Sequence, residues 1–443
     1  MSSKTKVFNN AKWIILCKIV QSALQLVVGM LSARYLGPSN YGLINYAASI
    51  VAFALPIMKL GFDAVIVYEL VESPEKEGEI MGTSLCFNLL SGAACILGVS
   101  SFAAVANMGD TQTLLICALY STSIIFAALE MIQYWFQYKL LSRYSSVVML
   151  VSYVAVSAYK IFLLATGKSV YWFALSHSIE YGIIGALLIA IYKKRGGGRL
   201  SVSLARAKSM FAKSKHYILA ALMVVVIQNT DHIMLTEMVG RAENGYYSAA
   251  ITCTSVCQFV FVAIMDSFRP VILAAKNENR QKYENNLSQL YSIVIYLSLA
   301  QSVVFTVAAR LIILLLYGAD YMAAVPVLQI LVWYCAFSFM GTVRNIWLLA
   351  EGKQRLLPAI NLTGAVFNVA LNAVMIPLWG ACGAAFASLL TQVFTNFVLG
   401  FIIKPMRENN RLIIRGLDPR LFVRQLGAVA QMLLKRSGDS ADL

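Results

Sequence analysis

The residues in this sequence with the most chemistry to offer are charged side chains set inside apolar stretches. The cations are Lys18, Lys160, Arg269 and Arg344; the acids are Asp63, Glu130, Glu180, Asp231, Glu237 and Asp266. A charge in such surroundings is costly to keep, so its default reading is functional. Arginine offers a planar fork for two-point contact with phosphate, and lysine a point charge. A buried carboxylate can carry a proton or bind sodium, and Asp231, beside His232 in QNTDHIML, leads the acids for ion coupling, with Glu130 as a further candidate. The competing reading for all of them is an internal ion pair or an anchor at the membrane edge, which fits Arg269 best because Pro270 marks a helix break there. His177, with Ser176, Ser178 and Glu180, gives one helix a polar face suited first to interhelical hydrogen bonds.

Enzymatic arrangements are missing. The sequence holds no GxxxxGK[ST], GxSxG or HExxH, and its three histidines, 177, 216 and 232, are too scattered for a conventional metal site. No cofactor, metal or ATP hydrolysis is expected. The eight cysteines lie in apolar segments without paired spacing and read as small buried hydrophobes.

What must position these charges is a membrane-embedded scaffold. Of 443 residues, 59% are hydrophobic and only 13% charged, against about 25% charged in soluble domains. The net charge of +15 therefore speaks of topology rather than nucleic acid. Residues 1–10 are polar, and no small-residue cleavage site follows the first apolar segment, so no removable signal peptide is expected. A spanning helix needs about 20 mainly apolar residues. Twelve candidates result, at 11–33, 41–62, 80–106, 112–136, 145–166, 169–191, 216–239, 244–268, 288–309, 322–349, 356–377 and 380–403. Lys and Arg divide unevenly between the two sides: 31 fall at the termini and in the even-numbered connectors, and four in the odd-numbered ones. By the positive-inside rule both termini are expected in the cytoplasm. No outward connector exceeds roughly a dozen residues, which leaves no room for the outward catalytic loop of a membrane glycosyltransferase or polymerase.

A repeat runs through the chain. ARYLGPSNYGLINYAAS, residues 33–49, aligns with TEMVGRAENGYYSAAIT, residues 236–252, at an offset of 203, pairing Gly37 with Gly240 and Gly42 with Gly245. Trp135 and Arg143 pair with Trp347 and Arg355 at an offset of 212, which implies a nine-residue insertion. Six spans per copy return the chain to the same side, so the copies are expected to be parallel bundles. The expected division is a first six-helix bundle over 1–191, a basic cytoplasmic linker over 192–215, a second bundle over 216–403 and a basic cytoplasmic tail over 404–443. Three glycines, 196–198, would give the linker slack ahead of an amphipathic surface segment. Trp135 and Trp347, with Tyr134 and Tyr138, read as an aromatic belt. Gly37, Gly42, Gly240 and Gly245 lie where a helix must end, turn and restart, and are candidate hinges besides.

The order ARYLGPSNYG, MVGRAENGYYSAA, LLYGADYMAAVPVLQIL and LAEGKQRLLPAINLTGAVFNVALNAVMIPLWGACGAAFASLL resembles the polysaccharide transporter branch of the multidrug/oligosaccharidyl-lipid/polysaccharide (MOP) exporter superfamily, and most closely the Wzx-type O-antigen flippases. The resemblance implies an all-α, MATE-like membrane protein with twelve transmembrane helices in two six-helix bundles around a central cavity, working by alternating access. It implies a polyprenyl-pyrophosphate-linked oligosaccharide as cargo, moved across a bacterial cytoplasmic membrane, with a glycan polymerase and a chain-length regulator as partners. On that reading Lys18, Lys160, Arg269 and Arg344 would contact the anionic cargo, and Asp231, His232 and Glu130 would couple a proton or sodium. The alternatives are a MATE-like drug/cation antiporter, which would need an acidic cavity, and a membrane glycan polymerase or glycosyltransferase.

Overall fold

The computed structural model describes residues 3–422 apart from residue 257; the side chains of residues 3–16, 18 and 19, and so that of Lys18, lie outside the described residues. In chain order the helices are α1 (Ser3–Lys59), α2 (Phe62–Glu72), α3 (Glu77–Ala106), α4 (Thr111–Ser121), α5 (Ser123–Ala127), α6 (Ile132–Tyr138), α7 (Ser142–Ala165) and α8 (Val170–Lys194). There follow α9 (Leu204–Met238), α10 (Arg241–Ser255), α11 (Gln258–Glu278), α12 (Arg280–Leu316), α13 (Ala324–Ala350), α14 (Leu357–Val393), α15 (Leu399–Ile402) and α16 (Arg407–Gly416). No strand occurs among the described residues.

Among the described residues, ten helical segments are long and apolar enough to cross a membrane. Two of them, Val20–Glu72 with 53 residues and Gln354–Ile402 with 49, far exceed the roughly 20 residues one pass needs. Each breaks at a glycine in the left-handed region, Gly37 (φ 72°) in α1 and Gly380 (φ 53°) in α14. Pro38 restarts the helix after Gly37, where its missing N–H costs nothing. Counting these two segments twice gives twelve passes, as expected, in an all-α membrane protein. The outer faces are apolar: Leu97 is 70% and Val307 83% exposed, surface that only lipid can cover.

The fourth pass is a broken helix. The hydroxyls of Ser121, Thr122 and Ser123 bond back to the carbonyls of Ala118, Leu119 and Tyr120, and α4 gives way to α5 and then to a 3-10 turn, Ala128–Met131, before α6. Glu130 rides on that turn. A second irregularity, a π-helical turn at Phe394–Val398, follows α14. Such turns free backbone carbonyls for other partners.

Packing divides the chain into two compact units, one ending at Ser248 and the other beginning at Ala249. In the first, α9 packs along α1, α2 and α3. One apolar cluster centres on Leu43, Tyr46, Ile116 and Phe173, and another on Phe62, Ile66, Trp135 and Phe136. The second unit is organised around Phe261, Tyr291, Phe339 and Trp347.

The stretch after α8 is held fast rather than slack. Gly198 N–H donates to Glu77 Oε1 (3.2 Å), Ser201 N–H to the Gly78 carbonyl (3.1 Å) and Ser203 N–H to Thr83 Oγ1 (3.0 Å). A Cβ on Gly78 or Gly82 would strike the backbone of Arg199 or Ser201, so small residues on α3 admit the strap. Arg206 and Lys213 of α9 then reach the fully buried Glu69 at 3.0 and 2.6 Å. The segment expected to lie on the surface is thus clamped by a carboxylate that needs both cations to offset its burial.

Candidate functional site

Inside the passes of the first unit, charged residues from five elements gather on half-buried faces. His177 Nδ1 lies 3.9 Å from Glu180 Oε2, with side-chain exposures of 30% and 15%. The imidazole stacks on Tyr120 (4.6 Å between centroids) and meets the edge of Tyr181 (5.0 Å). Lys160 of α7 is the electrostatic neighbour of both His177 and Glu180. Glu130 faces Gln133, Lys59 and Asp63. Thr122 and Ser178 share a hydrogen bond of 2.6 Å, and Ser152 donates to the Glu180 carbonyl at 2.8 Å. Charges of both signs with hydroxyl and aromatic faces can hold a polar, partly anionic molecule, since each charge keeps a partner while one side stays open.

Arg344 is placed differently. It is 4% exposed; Nη1 donates to the Thr395 carbonyl (3.0 Å), freed by the π-helical turn, and to Asn396 Oδ1 (2.7 Å), while Nη2 donates to Asn345 Oδ1 (3.1 Å). No carboxylate lies within ion-pair reach of it among the described residues, and its Nε–H has no hydrogen-bond partner there. Arg269 and Asp266 are exposed on α11. Within the second unit, then, Arg344 is enclosed and Arg269 open. Sequence reading also missed the polar seam of α14, where Asn372 donates to Asn368 (3.1 Å); the signal was there, two asparagines four residues apart in an apolar span.

The acids of α9 converge on the two repeated turns. Asp231 accepts from Tyr247 Oη (2.6 Å). His232 Nδ1 and Asn244 Oδ1 are 2.7 Å apart, and because that oxygen can only accept, Nδ1 carries the proton. Asn244 Nδ2 then donates to the Gly42 carbonyl (2.8 Å) in the other turn. Glu237 accepts from Tyr46 Oη and from Asn107 Nδ2. Arg241 pairs with Asp110, the residue that caps α4, and donates to Gln112 (3.0 Å). Gly37 and Gly240, with φ of 72° and 110°, are the turn positions; Gly42 and Gly245 have ordinary helical backbone and no room for a side chain. Tyr46, Asn107, Asp110, Gln112 and Asn244 were not singled out from sequence, because their partners lie far along the chain.

Neither of the two tryptophans expected in an aromatic belt faces lipid: Trp135 is 1% and Trp347 0% exposed. Trp135 Nε1 donates to Glu77 (2.6 Å), which also pairs with Lys139 (2.7 Å).

Apolar passes with charges tucked inside make an all-α membrane fold, and comparison with solved structures shows where that fold recurs. An inward-facing multidrug resistance MATE family transporter of the MOP superfamily superposes with a TM-score of 0.67 at 14% identity, covering 88% of this chain and 94% of its own. The lipid II flippase MurJ, in an inward closed conformation, gives 0.71 at 14% identity over 94% of this chain and 92% of its own. At such identity the likeness is one of fold. Residues 7–275 match the family model described as polysaccharide biosynthesis protein, and the chain belongs to that family. An uncharacterized membrane protein of Methanocaldococcus jannaschii is 23% identical over 239 residues, half of this chain and 45% of that protein, so the match spans less than half of that relative's length.

Proposed function

We propose that this protein is a flippase that carries a polyprenyl-pyrophosphate-linked oligosaccharide repeat unit, O-antigen or capsule-like, from the cytoplasmic to the periplasmic leaflet of a bacterial cytoplasmic membrane. The observation that carries the reading is the half-buried Lys160, His177 and Glu180 group inside the passes of a polysaccharide biosynthesis family member. A glycan cannot enter hydrocarbon unaided, because each hydroxyl would lose its water partners. Hydroxyls, carboxylates and the Lys160 ammonium replace those partners, while the polyprenyl chain stays in the bilayer. Lys160 meets the pyrophosphate, with Lys18 and Arg269 as further candidate cations; Arg344 serves only if its carbonyl cage opens. Asp231, His232 and Glu130 are the groups through which a proton or sodium gradient would act, and both termini face the cytoplasm.

The test is transfer in vesicles. Purified protein is reconstituted with a polyprenyl-pyrophosphate oligosaccharide on one leaflet, and lectin access reports its arrival on the other. Protein-dependent transfer, slowed about tenfold by Lys160→Gln as befits the loss of one charge-assisted contact, is the expected result. Transport of an organic cation with no lipid transfer would install the antiporter reading, and covalently lengthened glycan would install a polymerase.

A further inference from the structure

The two turns of the repeat, besides being alike in sequence, touch each other through equivalent atoms. A Cβ built on Gly42 would collide with the Arg241 carbonyl, and a Cβ built on Gly245 would collide with the Pro38 carbonyl. Pro38 and Arg241 occupy the same position in the two copies at the offset of 203, as do Gly42 and Gly245. The contact is therefore reciprocal: each turn offers a bare glycine to the carbonyl that opens the helix of the other. Backbone meets backbone at both glycines. Around this centre stand two polar fastenings, Arg241 with Asp110 and Gln112, and Glu237 with Tyr46 and Asn107.

We infer that these turns form a two-sided seal that must part in every transport cycle, with Gly42 and Gly245 as its contact points and the Arg241–Asp110 pair as its latch. The inference rests on reading the chain as a transporter, but not on the cargo. Three features suit a contact that closes and reopens rather than a permanent core. Glycine contacts bury little apolar area, so separating them exposes little. The latch is partly exposed, 23% and 34% on its two side chains, so water can take over its partners as it opens. The buried members of the apolar cluster around Leu43 and Phe173 all lie between Leu36 and Ala174, with Ile233 of α9 only at its edge, so the cluster need not be broken when the second turn withdraws.

The test places a cysteine behind the seal. Ser248→Cys is nearly isosteric at a position 1% exposed, one turn beyond Asn244. Lys168→Cys serves as a control at the same end, since Tyr35 Oη donates to the Lys168 carbonyl and the residue is exposed. Labelling by a membrane-impermeant maleimide is followed in intact cells, with the parent chain as blank. Ser248→Cys should label slowly and Lys168→Cys fast. Adding Arg241→Gln, or Asp110→Asn, which keeps the helix cap, should speed labelling at position 248 about threefold, the bias a partly exposed ion pair supplies. Gly245→Ala, which drives a methyl into the Pro38 carbonyl, should speed it about tenfold, as a clash of that kind outweighs such a pair. If Gly245→Ala does not accumulate, the two latch variants decide. Equal rates for Ser248→Cys in the parent and latch backgrounds overturn the latch. Labelling at position 248 as fast as at position 168 means there is no seal, and none in any background means that the turns never part. Because labelling needs no cargo, these outcomes stand even if the vesicle assay finds a different substrate.

Discussion

Glu77 and Lys139 in the first unit, and Arg280 and Glu351 in the second, occupy matching positions with their charges exchanged. Glu77 opens α3 and Arg280 opens α12, at the offset of 203; Lys139 and Glu351 end α6 and α13, at the offset of 212. Each couple is an ion pair, at 2.7 Å in the first unit and 2.9 Å in the second. In both the carboxylate is the more buried partner, 14% and 11% exposed, and the cation reaches outward at 38% and 43%. Long cationic stems tolerate that division and short acids do not. What the repeat keeps is thus the pair and its burial pattern, while the sign at each position is free to change. The exchange has one casualty. Trp135 Nε1 has Glu77 as its acceptor, whereas Trp347 Nε1 is buried without a hydrogen-bond partner among the described residues, because an arginine stands where the acid would be. It also has a cost in helix dipoles: Glu77 suits the start of α3, but Arg280 opposes the start of α12, where Asn279 caps the first turn instead.

The largest expected effect tests whether the second unit depends more on its acid than the first. Glu351 binds both Lys276 and Arg280; Arg280 keeps Glu284 and Glu408, but Glu351→Gln breaks two ionic contacts and leaves Lys276 without a carboxylate among the described residues, and should cost about 2 kcal/mol by thermal unfolding in detergent. Glu77→Gln keeps an oxygen for Trp135 and frees only Lys139; about 1 kcal/mol is expected. Equal losses would remove the asymmetry. Next in size come the indoles. Trp135→Phe gives up a hydrogen bond to a charged group and should cost about 1.5 kcal/mol more than Trp347→Phe, which gives up an unpaired N–H. If Trp347→Phe proves the costlier change, the matched positions do not explain the orphaned indole.

Much of the fold was legible because hydropathy and the positive-inside bias act over whole spans, so twelve passes follow from runs of residues rather than from any one of them. The repeat was legible at its glycines, since turns need Gly37 and Gly240 whatever surrounds them. Pairing was not. The partners Arg241 and Asp110 lie 131 positions apart, Glu351 and Arg280 71 apart, and nothing local to either residue selects the other. The broken fourth pass escaped because hydroxyl back-bonding bends a helix without interrupting its hydropathy. Arg344 was legible as an intramembrane cation, but its cage of neutral oxygens depends on a π-helical turn that composition does not announce.

The smallest expected effect is the pH dependence of two groups in the exchanged pairs, Glu351 and Lys139. Burial pushes the Glu351 carboxyl up, but the hydrogen bond from Lys276 and the nearby Arg280 charge outweigh it and hold the group below the ordinary glutamate value. A depressed carboxyl contributes stability that is whole above its unfolded value of about 4.3 and is lost as pH falls through the lower folded value. The Lys139 ammonium is held above the ordinary lysine value, chiefly by its hydrogen bond to Glu77 and against the opposing pull of burial. Its contribution is whole below about pH 10.4 and is lost as pH rises through the folded value. Glu351 should therefore show itself on the acid limb of a melting-temperature profile and Lys139 on the alkaline limb. Glu351→Gln should flatten the acid limb and leave the alkaline one, and Lys139→Gln should flatten the alkaline limb. Lys139 is more than a third exposed, so its effect should shrink further in high salt, whereas that of the more buried Glu351 should persist. An acid limb of unchanged slope in Glu351→Gln would mean that the exchanged pairs share geometry without sharing energetics.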